Sequence, residues 1–290
     1  MKTIAISGSK GFIGSNLIPL LEKSGDKVIP IDIKNGLDLT NWEQLEKFPD
    51  FDVFVHLANL TYVPASYERP LDFYTINYLS TLHVLELCRQ RKANHIYISS
   101  YIYGNPEYLP VDEKHPVHPF NPYAQTKFIC ESLCQAYERD FNVITTIVRP
   151  FNIFGPFQNG DLLIPSIIRQ LQQKVTRIQL KDPRPRRDYV YVTDVVNAIQ
   201  SCIIADFKEG EVFNICSGKS FSVREMTEII QSLLPFQLDF SFETSDRKSE
   251  VFETIGSFDK LYTFTGWEPI IDFKIGIQLL LQAEGVLNNK

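Results

Sequence analysis

Tyr123 and Lys127 stand four residues apart in "NPYAQTKF", and Ser99 opens "SSYIYG" upstream. On a helix, residues at that spacing project from the same face. A free tyrosine titrates near ~10, so serving as a base at neutral pH takes a shift of roughly three units, or about 4 kcal/mol. An ammonium one turn away favours the phenolate and supplies part of that shift. The pair gains weight from a second pattern. "SGSKGFIG" sets Gly8, Gly11 and Gly14 after a short β-branched run and at the start of an amphipathic stretch. Glycines placed so permit a tight turn and a close approach of backbone to a pyrophosphate at a helix N-terminus. Together the two patterns suggest redox chemistry at a carbonyl or an alcohol. Asp32 ends the next apolar run, where a carboxylate can hydrogen-bond a ribose 2′-hydroxyl. It also repels a 2′-phosphate, which favours NAD over NADP, and Lys34 softens that preference.

These residues need strands and helices to hold them. Residues 3–7, 27–31, 53–57, 95–99 and 143–148 read as buried parallel strands, with helices over 12–23, 70–91 and 121–139 between them. Such alternation predicts an α/β fold, a doubly wound parallel sheet of Rossmann-like type, with ligands beyond the carboxyl ends of its strands. Ser99 and the glycine loop both fall at strand ends. After Pro156 the pattern loosens, with helices predicted over 162–174, 194–205, 222–233, 258–265 and 273–284, and strands over 177–180 and 212–215. Ser222 with Glu225 forms a capping-box signature. The division expected is a dinucleotide lobe over 1–158, to which 188–217 returns. A smaller, mostly C-terminal substrate lobe then takes 159–187 and 218–290.

Composition narrows the class. The 290 residues are 44% hydrophobic and 22% charged, with a net charge of −6, which is ordinary for a globular protein. No basic stripe suggests nucleic acid, and no apolar run reaches a membrane-spanning length. The five cysteines have no Cys-x-x-Cys spacing and read as buried thiols in a cytoplasmic protein. The five histidines have no metal-ligand spacing; His56 reads as a packed group, His115 and His118 as solvent-facing. In the 184–187 cluster an arginine's planar fork suits a diphosphate, while Arg184 and Arg186 read as lying on a solvated loop.

In their order along the chain, these motifs resemble the extended short-chain dehydrogenase/reductase family, in its nucleotide-sugar epimerase/dehydratase branch. The likeness also takes in "HLAN" (56–59), Asn77, "RPFNIFGP" (149–156), "RRDYVYVTDV" (186–195), "FNICSG" (213–218) and "GWEP" (266–269). The resemblance implies that Gly8, Gly11, Phe12, Ile13 and Gly14 line the pyrophosphate loop. It puts Asp32 on the adenosine ribose, Asp38 and Leu39 near the adenine, and Leu57 and Ala58 beside the cofactor. Ser99, Tyr123 and Lys127 take the catalytic positions, Lys127 holding the nicotinamide ribose. Asn152, Leu163, Arg187, Arg247 and Glu250 fall where the family grips the nucleotide diphosphate of its substrate. A homodimer through the helices over 70–91 and 121–139 is implied as well. Family dehydratases carry an acidic pair after the catalytic Ser/Thr, where this chain has Ser100 and Tyr101, so dehydration is disfavoured. "YVPAS" (62–66) is similar to a loop of C4 epimerases. The expectation is NAD-dependent C4 epimerisation of a nucleotide-diphosphate sugar; the alternatives are an NAD(P)H-dependent reductase of a 4-keto-6-deoxy sugar nucleotide and a non-catalytic dinucleotide sensor.

Overall fold

Residues 4–6, 53–55 and 96–98 are apolar without a break, and successive side chains of a strand leave on opposite faces. Ile4, Ile6, Val53, Val55, Ile96 and Ile98 pack on one side of a central sheet, and Ala5, Phe54 and Tyr97 on the other. A strand buried on both faces needs helices above and below it, and the chain supplies them in alternation. The computed structural model describes residues 1–158, 162–243 and 251–287. Its first half runs β1 (Thr3–Ser7), α1 (Phe12–Lys23), β2 (Lys27–Ile31), α2 (Trp42–Leu45), β3 (Val53–His56), α3 (Val63–Glu68), α4 (Pro70–Arg91), β4 (Asn94–Ile98), α5 (Pro122–Phe141) and β5 (Thr145–Pro150). Its second half runs β6 (Asn152–Phe154), α6 (Leu163–Gln172), β7 (Arg177–Leu180), β8 (Arg186–Tyr191), α7 (Val192–Ala205), β9 (Glu211–Ile215), β10 (Ser220–Ser222), α8 (Val223–Leu233), β11 (Asp239–Phe242), α9 (Asp259–Thr265) and α10 (Phe273–Ala283).

Six parallel strands pair in the order β2-β1-β3-β4-β5-β9. The fold is thus the doubly wound, Rossmann-like sheet expected. Strand order reverses at β1, between β2 and β3, and the carboxyl ends flanking that point form the crevice where such sheets bind ligands. Residues of α1, α7 and α9 cover one face, and residues of α4 and α5 cover the other. A third apolar cluster gathers α6, α8 and α10 with β7 and β8. There β8 pairs with β6 and β10, and β11 with β7. Helix α8 has the expected capping box, Ser222 Oγ accepting from Glu225 N while the Glu225 carboxylate accepts from Ser222 N.

The five cysteines are all buried and free. No helix among the described residues is long and apolar enough to cross a membrane, and no cluster of their side chains could hold a metal ion. His118 is exposed as expected, whereas His115 is buried. Its Nε2 accepts from Glu107 N (2.9 Å) and its Nδ1 meets Pro116 O (2.8 Å), so the ring staples the proline-rich loop.

Candidate active site

The crevice begins at Gly8, which follows β1 with φ +66°, a region that costs an L side chain energy. A Cβ there would also stand 3.0 Å from Ala58 N and 3.1 Å from Leu57 C. At Gly14 a Cβ would lie 2.4 Å from Gly8 O, so the loop folds onto itself in a way only glycine allows. Gly11 caps α1 without a side-chain hydrogen bond, which leaves amides of the first turn, Phe12 and Ile13 among them, to an incoming acceptor. The Ser9 hydroxyl beside them is buried and has no partner among the described residues. Uncapped amides, an orphan hydroxyl and a cradle that a Cβ would fill suit a dinucleotide pyrophosphate.

Asp32 directly follows β2, against this loop. Its carboxylate accepts Lys10 N (2.9 Å) and Lys34 N (3.0 Å), which fixes it at the rim of the crevice. Asp38 turns its carboxylate onto Thr40 N and Thr40 Oγ1, both at 2.8 Å. The Leu39 side chain belongs to the core, so only its backbone can face a ligand. Leu57 and Ala58 sit above Gly8 and give both N–H groups to Ser7 Oγ at 3.1 Å.

Ser99 follows β4, and Tyr123 and Lys127 lie in the first two turns of α5. Asn121 caps that helix by accepting from Ala124 N (2.8 Å), with Pro122 at its first position. All three predicted groups therefore meet at the carboxyl end of the sheet. Two details differ from expectation. Burial raises the Tyr123 phenol above its ordinary range, and the opposing influence comes from the Ser100 hydroxyl, within hydrogen-bonding reach, rather than from Lys127. The Ser99 hydroxyl is buried and lacks a partner among the described residues, so it is available to a ligand. Lys127 turns its ammonium to Asn59 Oδ1 and to Ile98 O (2.7 Å), above the Tyr97 ring at 4.9 Å. Burial pushes it down to about 8.

A cleft of about 440 Å³ is lined by Asn152, Leu163, Gln179 and Arg187, among others. Three residues expected at a diphosphate thus share one cavity. Arg247 and Glu250 lie outside the described residues. Arg187 is set by its neighbour Asp188, whose carboxylate accepts Ser217 N, Ser217 Oγ, Gly218 N and Gly256 N at 2.7–3.0 Å. Arg184 is exposed in the loop before β8, as expected, whereas Arg186 lies half-buried on β8 itself. Arg184 clasps Asp182 (2.6 Å), and Arg186 bridges Glu225 (2.8 Å) and Glu253 (3.1 Å). Tyr101 gives its hydroxyl proton to Gly104 O (2.7 Å), and burial pushes that phenol up to about 12, so it is no proton acceptor near neutral pH.

Sequence reasoning missed Ser100 and Asn59 as contacts of Tyr123 and Lys127. The available signal was a polar residue two or three positions after an apolar strand, in "ISS" and "VHLAN".

Known proteins share this fold. The chain is 30% identical to the GDP-6-deoxy-D-mannose reductase of Pseudomonas aeruginosa, over 95% of each chain. The structure of RMD from that organism in complex with NADPH superposes with a TM-score of 0.90 at 29% identity, covering 98% of this chain and 99% of that one. A UDP-glucose 4-epimerase of Thermotoga maritima, solved with UDP-glucose, gives 0.87 at 26% identity, covering 97% and 98%. A glycine cradle at the switch point, a Ser/Tyr/Lys centre beside it and a family match over residues 4–216 converge, and the chain belongs to the NAD dependent epimerase/dehydratase family.

Proposed function

We propose that this protein epimerises a nucleotide-diphosphate sugar at C4 with a retained NAD. A bound nicotinamide supplies the hydride acceptor and donor, and its positive charge when oxidised favours the Tyr123 phenolate. Gly8, Gly11, Phe12, Ile13 and Gly14 hold the pyrophosphate, Asp32 the adenosine ribose, and Leu57 and Ala58 flank the dinucleotide, with Asp38 and Leu39 at the adenine end. Tyr123 takes the proton of the sugar 4-hydroxyl, Ser99 and Ser100 bind the same oxygen, and Lys127 keeps positive charge beside the phenolate. Asn152, Leu163 and Arg187 grip the diphosphate, together with Arg247 and Glu250. The 4-keto sugar turns about that anchor and is reprotonated by Tyr123 once its other face has been reduced. Tyr101 supports this reading over dehydration, because a phenol tied to Gly104 O stands where a carboxylate base is needed.

The observation that carries NAD, and with it epimerisation, is the Asp32 carboxylate held at the crevice rim by two backbone amides. A second reading, the NAD(P)H-dependent reduction of a 4-keto-6-deoxy sugar nucleotide, is favoured by the likeness to the NADPH-bound reductase. Mass analysis of the cofactor released from purified protein separates them. The epimerase carries NAD and turns over with none added; the reductase consumes added NAD(P)H stoichiometrically. The two-lobe division (1–158 with 188–217 against 159–187 with 218–290) and a homodimer through α4 and α5 belong to the same reading. So does a cytoplasmic setting, which suits five free thiols.

A further inference from the structure

The loop that follows β3 is tied down on both sides of one residue. Before it, Leu57 N and Ala58 N both donate to Ser7 Oγ. After it, Leu60 gives its N–H to Asn77 Oδ1 (2.8 Å) and takes a hydrogen bond from Asn77 Nδ2 (3.1 Å). The same Asn77 Nδ2 reaches Thr126 Oγ1 (2.9 Å), the neighbour of Lys127 on α5. Asn59, between these ties, is therefore held at a fixed height relative to Lys127.

Its amide orientation is fixed as well. Ser7 Oγ accepts both N–H groups and pairs with His56 Nδ1 (2.8 Å), while His56 Nε2 meets Asn59 Nδ2 and Thr81 Oγ1, both at 3.3 Å. Thr81 Oγ1 itself donates to Asn77 O. Asn59 Nδ2 donates to Ala58 O, and Asn59 Oδ1 accepts Lys127 Nζ and the Tyr97 hydroxyl (3.4 Å). Flipping the amide would set its NH2 against an ammonium and its oxygen against a carbonyl.

We propose that Asn59 is the positioning residue of this site, a neutral acceptor locked in place to aim the Lys127 ammonium without cancelling its charge. The inference rests on the dinucleotide-dependent reading above. An ammonium has three donors. Among the described residues Asn59 Oδ1 and Ile98 O take two, which leaves one N–H to turn toward a ribose. A carboxylate at position 59 would neutralise the charge that Tyr123 needs beside it, and an apolar residue would strand a buried ammonium. The titratable groups facing Lys127 are His56 on β3, Tyr97 on β4, and Tyr123, Cys130, Glu131 and Cys134 on its own helix. Burial, with the nearby His95 and Lys127, holds His56 well below the ordinary histidine range, so it is uncharged near neutrality.

The test is the titration of Lys127 in the cofactor-free protein, followed by NMR of lysine-labelled samples and assigned by its absence in Lys127→Arg. Asn59→Asp should raise the midpoint by about one to three units. Asn59→Ala should lower it and weaken NADH binding, read by fluorescence, about tenfold. Asn59→Ser, which keeps an oxygen acceptor, should restore part of both. In turnover, Asn59→Asp should move the acid limb of the pH profile to higher pH, an effect a purely structural role would not produce. A Lys127 midpoint unchanged in all three variants, with thermal melting unchanged, overturns the proposal. A wild-type protein that binds no dinucleotide overturns the underlying reading instead, and the titration still decides the role of Asn59.

Discussion

At Lys127 the cofactor-free site is arranged against its own stability. Burial raises the Tyr123 phenol, which stays neutral, and lowers the Lys127 ammonium, which at neutral pH is still held in the charged form that costs more to bury. Replacing Tyr123 with Phe should lower turnover by ~100- to 10,000-fold while leaving dinucleotide binding intact; near-normal activity would reject Tyr123 as the acid/base. The ammonium makes a second, independent expectation. A lysine whose folded value lies near 8, against about 10.4 when exposed, costs stability at pH values below both. That cost disappears as pH rises from about 8 through 10.4, because the unfolded chain then binds the extra proton. The stability of wild type relative to Lys127→Met should therefore rise across that window, by roughly 1–3 kcal/mol in paired urea titrations. A flat difference would mean that the ammonium is not desolvated.

At the scale of elements, the site depends on how tightly the loop after β1 and the foot of α5 are packed. Gly14→Ala places a methyl within 2.4 Å of Gly8 O, so the loop must open; dinucleotide binding should fall by at least about tenfold with little change in the fold. Helix α5 is fixed to β5 by Arg149 and Glu131, a buried bidentate pair that also binds the Tyr103 hydroxyl (3.0 Å). Breaking it with Glu131→Ala strands a buried cation and should cost about 3–5 kcal/mol, measured by chemical unfolding. Most of these elements were legible in the sequence, because runs such as 4–6 and 96–98 are apolar on both faces and Asn121-Pro122 or Ser222 with Glu225 punctuate helix starts. The pieces that were not legible, α2, α3, β6, β10 and β11, have three to six residues each, too few for a hydrophobic period to declare itself. Side-chain partnerships were less legible still. Asn59 meets Lys127 across 68 positions, and Arg186 meets Glu253 across 67. Nothing local in the chain announces either pair, and His115 is buried only because the loop closes over it.

For the whole molecule, the carboxyl ends of the strands carry the glycine loop and the Ser99, Tyr123 and Lys127 group, while α4 and α5 leave an apolar groove on another face. That groove is lined by Tyr74, Tyr78, Leu79 and Ile129, with Tyr74 and Tyr78 38% and 40% exposed. If a second copy covers it, light scattering on the eluted protein should give twice the chain mass, and Tyr78→Glu should yield monomers; a wild-type monomer would contradict the dimer. The central claim is that oxidation and reduction happen on one captive sugar, with hydride stored on a cofactor that never leaves. It is tested most directly with a nucleotide hexose carrying deuterium at C4, incubated without added dinucleotide. The account predicts the C4 epimer with its deuterium still at C4. Product that appears only when NAD(P)H is supplied, or that has lost the label, would contradict it.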